Sequence, residues 1–213
     1  AAFYVGSGPK GKAQPVAAVK TKSLVVPYGA PEKKILPDST VVWLNAGSHI
    51  SYADDFGQRN REIYLEGEAC FDVRNDAEHP FIVHAGNILI RVLGTKFNIK
   101  AYDDENKIET TLINGKLQVQ IADNPDRKIV LAPNEKLTVI NQKFDIVGRD
   151  AKGQKELSFQ VKGVVPMQTE TQIPEIAWMQ DHLAFQNDEF AELAKGLERR
   201  YDVRVIFRDS SLM

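Results

Sequence analysis

Residues 36–52 read LPDSTVVWLNAGSHISY and combine branched and aromatic side chains with residues that favour turns. Valine, isoleucine, tryptophan and tyrosine are enriched in β-strands, whereas Asn45-Ala46-Gly47-Ser48 is a typical turn sequence. We predict two strands with a turn at 45–48, where small residues let the chain reverse. Trp43 is predicted to alternate inward and anchor the core. The stretch contains no catalytic pattern, so what it indicates is structural.

Alternation of apolar and polar residues continues from residue 23 to residue 147. This period of two is typical of strands with one buried and one solvated face. Turn signals recur about every 8–12 residues, as in all-β folds. Asn114-Gly115 is predicted to form a hairpin turn, because both residues tolerate positive φ, and Ala85-Gly86-Asn87 is predicted to form another turn. The fold class is therefore mainly β, an antiparallel double-sheet domain of jelly-roll or solenoid-like form.

Composition narrows the functional classes. The 213 residues carry a formal net charge of −2, whereas nucleic-acid-binding domains usually present a basic face. The single cysteine, Cys70, cannot form an internal disulfide and is predicted to be a buried, inert thiol. No run approaches the roughly 18 apolar residues that a membrane helix needs.

Residues 177–213 are predicted to form a second, small α+β unit that is only partly present. Phe190, Leu193, Leu197 and Tyr201 make one apolar stripe at helical spacing, and Asn187 is placed to cap the helix. HLAFQ before the helix and VRVIF after it have strand character. The remaining predicted boundaries are a linker at 1–22, the β domain at 23–147, and a second linker at 148–176 containing one strand.

Side chains that could support chemistry are scattered. His79 and His84 are five residues apart and would point to opposite faces of a strand. The pairs Asp54-Asp55 and Asp103-Asp104 lie in predicted turns, where aspartate bonds its own backbone. We therefore expect no metal site, no cofactor and no enzymatic activity, and interpret the histidines as structural. The four histidines are His49, His79, His84 and His182.

Five strings in order resemble the periplasmic domain of FecR-family anti-sigma factors, in the form common in Bacteroidetes. They are LPDSTVVWLNAGSHISY, REIYLEGEACFDV, PFIVHAGNILIRVLGTKFNIKAY, IETTLINGKLQV and LAPNEKL. The resemblance covers about residues 24–140 and continues at 178–207, which is similar to the start of a secretin/TonB short N-terminal domain. Ser39 stands where the family usually has glycine, Cys70 where a larger aromatic is usual, and His182 where a turn glycine is frequent.

The resemblance implies a single-pass inner-membrane regulator whose periplasmic part receives a signal. The implied partners are the N-terminal signalling domain of a TonB-dependent outer-membrane transporter and, through a cytoplasmic part, an extracytoplasmic-function sigma factor. Residues 1–5 would then be the trailing edge of a membrane helix.

We predict the partner surface at Val203, Arg204, Val205, Ile206 and Phe207, where an unpaired strand would suit strand addition. This segment could equally pair with a missing half of its own domain, leaving the partner to bind elsewhere. Two further functional classes stay open at this point. One is a periplasmic carbohydrate-binding β-sandwich module, and the other is an enzyme on a jelly-roll scaffold.

Overall fold

The structure, a computed structural model, describes residues 20–122, 124–140, 158–163, 173–184 and 189–208. Most of the predicted linker at 1–22 and the predicted cap Asn187 lie outside these residues. The elements are β1 Thr21–Val25, β2 Glu32–Ile35, β3 Val41–Leu44, β4 His49–Ala53, β5 Glu62–Asp72, β6 Phe81–Ala85, β7 Ile88–Val92, β8 Lys96–Ala101, β9 Lys107–Asn114, β10 Leu117–Ile121, β11 Asn124–Leu131, β12 Glu135–Ile140, β13 Ser158–Gly163, a 3₁₀ helix Pro174–Gln180 and α1 Phe190–Tyr201.

The strands form two sheets that share β5. Sheet A has the order β1-β4-β5-β6-β7-β10-β11, and sheet B has the order β2-β3-β5-β8-β9-β12-β13. β5 pairs through residues 62–66 in sheet A and through residues 67–72 in sheet B. Pairing is antiparallel except between β5 and β6, which run parallel. The predicted mainly β, double-sheet fold class is confirmed.

The main core is built from the inward faces of both sheets. Phe81 of sheet A lies 5.7 Å, ring centroid to ring centroid, from Phe71, which in turn stacks at 5.4 Å on Phe97 of sheet B. All three rings are fully buried. Burial of each contributes about 1.5–3 kcal/mol relative to exposure. The alternation along β6 and β10 is regular, so the period of two predicts the buried face correctly there.

The predicted reversal at 45–48 is wrong. Val41–Leu44 pairs with Asp72–Ala69, and His49–Tyr52 then pairs with Glu66–Ile63, so β3 and β4 run in the same direction along β5. Residues 45–48 are a bulge that carries the chain from sheet B into sheet A. The physical reason lies opposite the bulge, where Gly67 bends β5 with a φ of +103°.

The predicted hairpin at Asn114-Gly115 is also wrong. β9 belongs to sheet B and β10 to sheet A, so this turn passes between the sheets. Gly115 does have positive φ, +96°, and a methyl group there would lie 2.9 Å from the Gly94 carbonyl oxygen. The turn chemistry was identified correctly and its topological role was not. The turn at Ala85-Gly86-Asn87 does join paired neighbours, β6 and β7.

Trp43 was predicted to face the core, and this is also wrong. Val42 and Leu44 are the fully buried residues of β3, so Trp43 points to the outer face of sheet B and is only half-buried. Its cross-strand partner is Cys70. All four residues of VVWL are apolar, so the sequence alone does not show which face of β3 is buried. The register with β5 places the smaller side chains, Val42 and Leu44, in the core.

The C-terminal segment is helical in its described residues. α1 covers Phe190–Tyr201, the apolar stripe that was predicted to be helical, but its N-cap position is Glu189 and not the predicted Asn187. Residues 182–184 and 203–207, predicted as strand, are not paired with any described strand. β13, the single strand predicted between 148 and 176, extends sheet B by pairing with β12.

Candidate functional site

The outer face of sheet B is covered by the C-terminal segment, and this contact is the candidate functional site. A small apolar cluster, separate from the main core, joins the two. It contains both tryptophans of the chain: Trp43 from β3 and Trp178 from the 3₁₀ helix, the latter buried. Its members are Trp43, Cys70, Ile113, Ile173, Ile176, Trp178 and Met179.

Cys70 is fully buried beneath this cluster. Burial raises the pKa of its thiol to about 12, so almost none of it is thiolate at neutral pH. The prediction that Cys70 is buried is therefore confirmed, although it lies on the outer face of the sheet and not in the main core.

Next to the apolar cluster, the same sheet face carries a buried polar group. The Glu68 carboxylate accepts hydrogen bonds from Asn45 Nδ2 at 2.8 Å and Asn98 Nδ2 at 2.9 Å. Burial raises the pKa of Glu68, and the attraction of Lys100 and these hydrogen bonds oppose that rise only in part. Each carboxylate oxygen of Glu68 therefore has a hydrogen-bond partner within the β domain. Glu68 does not depend on the covering C-terminal segment for these bonds.

Arg199 of α1 is the hub that connects the helix to the β domain. Its guanidinium donates to Glu105 Oε1 and to Asp104 Oδ1, each at 2.7 Å, and its central carbon lies 3.6 Å from the centroid of the Tyr102 ring. Its backbone carbonyl accepts from the Gly29 N–H at 2.9 Å. Burial would lower the pKa of Arg199, but the hydrogen bond and charge of Glu105 raise it, so the side chain stays charged.

Glu105 is held from two sides. Its Oε2 lies 2.9 Å from Lys100 Nζ, while Oε1 receives Arg199. Burial lowers the pKa of Lys100, and the charges of Glu105 and Glu68 raise it by more, giving a net increase. The carboxylate of Glu105 is completely covered, and a buried charge is tolerated only with such pairing.

Three further ion pairs cross from the sheet to the C-terminal segment. Lys107 Nζ lies 2.6 Å from Glu192 Oε2, and Lys136 Nζ lies 3.2 Å from Glu175 Oε1. Lys195 lies 3.7 Å from the Asp104 carboxylate. The contact is therefore mostly ionic around a small apolar centre.

A pocket of about 140 Å³ remains between the sheet and the helix, bordered by Glu68, Asn98, Lys136, Trp178 and Arg199 among others. Sites for drug-sized ligands occupy about 300–1,000 Å³. The small volume of this pocket and the mixed charges of its lining are typical of a polar interface that is packed incompletely.

The predicted partner residues Val203, Arg204, Val205, Ile206 and Phe207 lie directly after α1. Val203 and Ile206 are 51% and 75% exposed. The N–H groups of Val203 and Val205 are bonded to Glu198, through its carbonyl and its carboxylate. Those of Arg204 and Ile206 make no hydrogen bond to another described residue. Among the described residues, one edge of this segment is thus unpaired, in the alternate pattern that a strand presents.

The structure does not bring the histidines together. His49 contacts Ser23, His79 pairs with Asp76, and His84 stacks on Tyr64 and pairs with Glu62. Over the described ranges, no group of three or more metal-ligating side chains occurs. Nor does any helix within those ranges have the length and apolarity to cross a membrane.

The two aspartate pairs lie in turns, as predicted. Gln58 N–H donates to Asp55 O, and Glu105 N–H donates to Tyr102 O. Asp104 also binds Arg199 and Lys195, which the sequence interpretation missed. Tyr102 and Glu105 were missed as well, because nothing in AYDDEN marks a docking point until the helix is placed beside it.

The family model described as FecR protein matches residues 22–118. A crystal structure of a Parabacteroides distasonis protein assigned as an anti-sigma factor is similar with a TM-score of 0.71 at 29% identity, covering 89% of this chain and 82% of that chain. A second crystal structure with the same assignment and organism has a TM-score of 0.69 at 30% identity, covering 85% and 75%. No curated protein sequence matches.

These similarities extend beyond the β domain. A match at 30% identity over 85% of the chain includes part of the sequence that follows residue 118. The predicted family resemblance is confirmed by the family-model match over residues 22–118 and by the two similar crystal structures. The chain belongs to the FecR family of anti-sigma factors.

Proposed function

We propose that this chain is the periplasmic, signal-receiving region of a transmembrane anti-sigma factor. In this proposal it binds the N-terminal signalling domain of a TonB-dependent outer-membrane transporter. It relays the state of that transporter to an extracytoplasmic-function sigma factor, which a cytoplasmic region of the same protein holds. Family membership supports the sigma-factor part, and the C-terminal segment supports the protein-binding part.

The open edge at 203–207 is the observation that carries the proposal. The Arg204 and Ile206 N–H groups make no hydrogen bond to another described residue, and the apolar side chains of Val203 and Ile206 are exposed. Main-chain groups of this kind supply affinity in strand addition, and alternate side chains supply selectivity. The segment follows a helix that Arg199 fixes to the sheet, so a partner bound here contacts a supported surface.

The β domain at 23–147 acts in this proposal as a support, and the unit at 177–213 as the binding part. The carbohydrate-binding alternative needs exposed aromatic side chains on one face. Both tryptophans of the chain instead lie in the cluster under the C-terminal segment, Trp178 at 6% exposure.

Titration calorimetry with a purified transporter signalling domain tests the proposal. Ile206→Ser and Arg204→Glu are expected to weaken binding by roughly tenfold or more, the usual effect of losing an interface anchor. Ile35→Ser is the matched control, because Ile35 is 73% exposed against 75% for Ile206 and lies on β2. Its affinity should equal that of the unchanged protein.

Two outcomes would count against the proposal. Equal affinities for the Ile206 and Ile35 variants would move the partner away from 203–207. No binding of any signalling domain, together with saturable binding of a glycan, would favour the carbohydrate-binding module.

A further inference from the structure

We propose that the C-terminal segment, residues 173–184 and 189–208, is a latch that opens from the outer face of sheet B while the β domain stays folded. Arg199 and the ion pairs around it hold the latch closed. This inference does not depend on which partner the chain binds, because it concerns the contact between two parts of one molecule.

The main core and the small apolar cluster are separate. The main core contains residues of both sheets and none from the C-terminal segment. The segment instead contacts the sheet through the small cluster around Trp178 and Cys70. A part of a protein with few buried apolar contacts opens at a lower free energy than the whole molecule unfolds. The segment is thus expected to detach first.

Ion pairs surround the contact between the C-terminal segment and sheet B. Lys107–Glu192 and Lys136–Glu175 cross the interface with side chains between 12% and 24% exposed. Pairs in contact with water weaken as salt is added, since the Debye length falls from about 8 Å at 0.15 M to about 3 Å at 1 M. Opening should therefore increase with ionic strength, which opening of a purely apolar contact would not do.

Arg199 contacts the β domain at several points. Its backbone carbonyl accepts from Gly29, and its guanidinium donates to Asp104 and Glu105. The guanidinium also lies against the Tyr102 ring, whose hydroxyl donates to the Ala46 carbonyl. Arg199 thus joins the helix to three separate turns of the β domain. Removing the guanidinium removes its bonds to Asp104 and Glu105 and its contact with the Tyr102 ring, while the backbone bond to Gly29 remains. Glu105 still keeps Lys100 as a partner, so the β domain can fold without Arg199.

The latch links two faces of one helix. Phe190 and Tyr201 of α1 are more than half exposed, and Arg199 on the same helix is buried against the sheet. Binding at the exposed side and docking at the buried side therefore act on a single rigid element. A ligand that prefers one of the two states shifts the equilibrium toward it.

Cys70 makes the opening measurable in the unmodified chain. It is the only cysteine, and it is fully buried in the cluster that Ile173, Ile176 and Trp178 of the docked segment share with the sheet. Its pKa of about 12 keeps it unreactive while it is covered, whereas an exposed thiol has a pKa near 8.5. Alkylation by neutral iodoacetamide at about pH 8 therefore reports the open state without an effect of salt on the approach of the reagent.

The experiment compares alkylation rates of the unchanged protein, Arg199→Gln and Arg200→Gln. Arg200 is the matched control, because its ion-pair partner, Asp181, belongs to the C-terminal segment itself. We expect Arg199→Gln to react roughly tenfold faster or more, Arg200→Gln to react about as slowly as the unchanged protein, and circular dichroism to show the same β content in all three. Raising NaCl from roughly 0.1 M to 1 M should accelerate the unchanged protein.

The salt series on the unchanged protein decides the matter even if Arg199→Gln does not fold. The latch is rejected if alkylation is independent of salt and its dependence on urea equals that of global unfolding. It is also rejected if a folded Arg199→Gln reacts no faster than Arg200→Gln. Tryptophan fluorescence provides a second reading, because Trp43 and Trp178 both lose their shared environment on opening.

Discussion

Gly67 passes so close to Ser48 that a methyl group on Gly67 would lie 2.5 Å from Ser48 Oγ and 2.7 Å from Ser48 Cα. The two residues face each other where β5 leaves sheet A and enters sheet B. Ser48 Oγ donates to the Glu68 carbonyl at 3.0 Å, and the Glu68 N–H donates back to Ser48 Oγ at 2.8 Å. The corner between the sheets thus depends on a bent β5 and on a bulge that bonds to it.

Gly67→Ala is expected to destabilise the β domain by about 2–5 kcal/mol. The positive φ costs about 1–2 kcal/mol for a residue with a side chain, and the clash with Ser48 adds about 1–3 kcal/mol. Gly29→Ala is the control, since Gly29 has a similar φ of +113° but nothing lies within 4 Å of a methyl group there. Urea unfolding of both variants gives the difference, and equal losses would mean that the close approach to Ser48 is relieved at little cost.

Ser39→Gly is expected to stabilise the protein by about 0.5–1 kcal/mol. Ser39 has a φ of +71°, which glycine adopts without strain. The turn therefore keeps the geometry of the glycine that the family usually has, at some cost to this chain. Asn134, with a φ of +66°, is the control: Asn134→Gly should gain less, because asparagine tolerates this region. A loss of stability in Ser39→Gly would contradict the prediction.

The extent to which sequence predicts this structure differs between its parts. Alternation identified the strands, because burial of one face imposes a period of two. It did not identify which sheet each strand joins: the 45–48 and 114–115 turns have the composition of reversals and instead pass between sheets. Turn residues determine local φ, whereas the strand that lies next in space is decided by the register along β5.

The candidate site was harder to predict for a related reason. Trp43 and Cys70 were expected to be buried. Cys70 is fully buried and Trp43 is half-buried, and both pack against a segment more than 100 residues later in the chain. Arg199, in the last turn of α1, was not predicted to take part in this contact. Its burial depends on the acidic turn at Asp104 and Glu105, and only the packing of α1 on sheet B brings those residues together.

Glu68 predicts how stability depends on pH. Burial raises its folded-state pKa above the ordinary value of 4.5, so its favourable contribution is complete below about pH 4.5 and is lost as the pH rises through the folded-state pKa. The neutral side chain in Glu68→Gln resembles protonated Glu68. As the pH rises above about 4.5, the free energy of unfolding of this variant is therefore expected to fall less than that of the unchanged protein. Urea unfolding at a series of pH values measures this, with the exposed neighbour Glu66→Gln as the control for removing one charge. If the free energies of unfolding of Glu68→Gln and the unchanged protein differed by the same amount at every pH, the prediction would be contradicted.

Reversing the charges of Lys107 and Glu192 tests whether this pair helps to hold α1 against sheet B. Their charged atoms lie 2.6 Å apart, with side chains 20% and 17% exposed. Lys107→Glu or Glu192→Lys alone places like charges in contact, and each is expected to raise the rate of Cys70 alkylation severalfold.

The double reversal should restore most of the slow rate, giving a coupling free energy of about 0.5–1 kcal/mol for a partly exposed pair. Restoration is expected to be incomplete, because Lys107 also lies 3.9 Å from Glu109, which a glutamate at position 107 would repel. Reversing Lys34, whose partner Glu32 lies on the same strand β2, is the control and should leave the rate unchanged. Additive effects of the two single reversals would show that Lys107 and Glu192 act separately, and would leave Arg199 as the main ionic contact of α1.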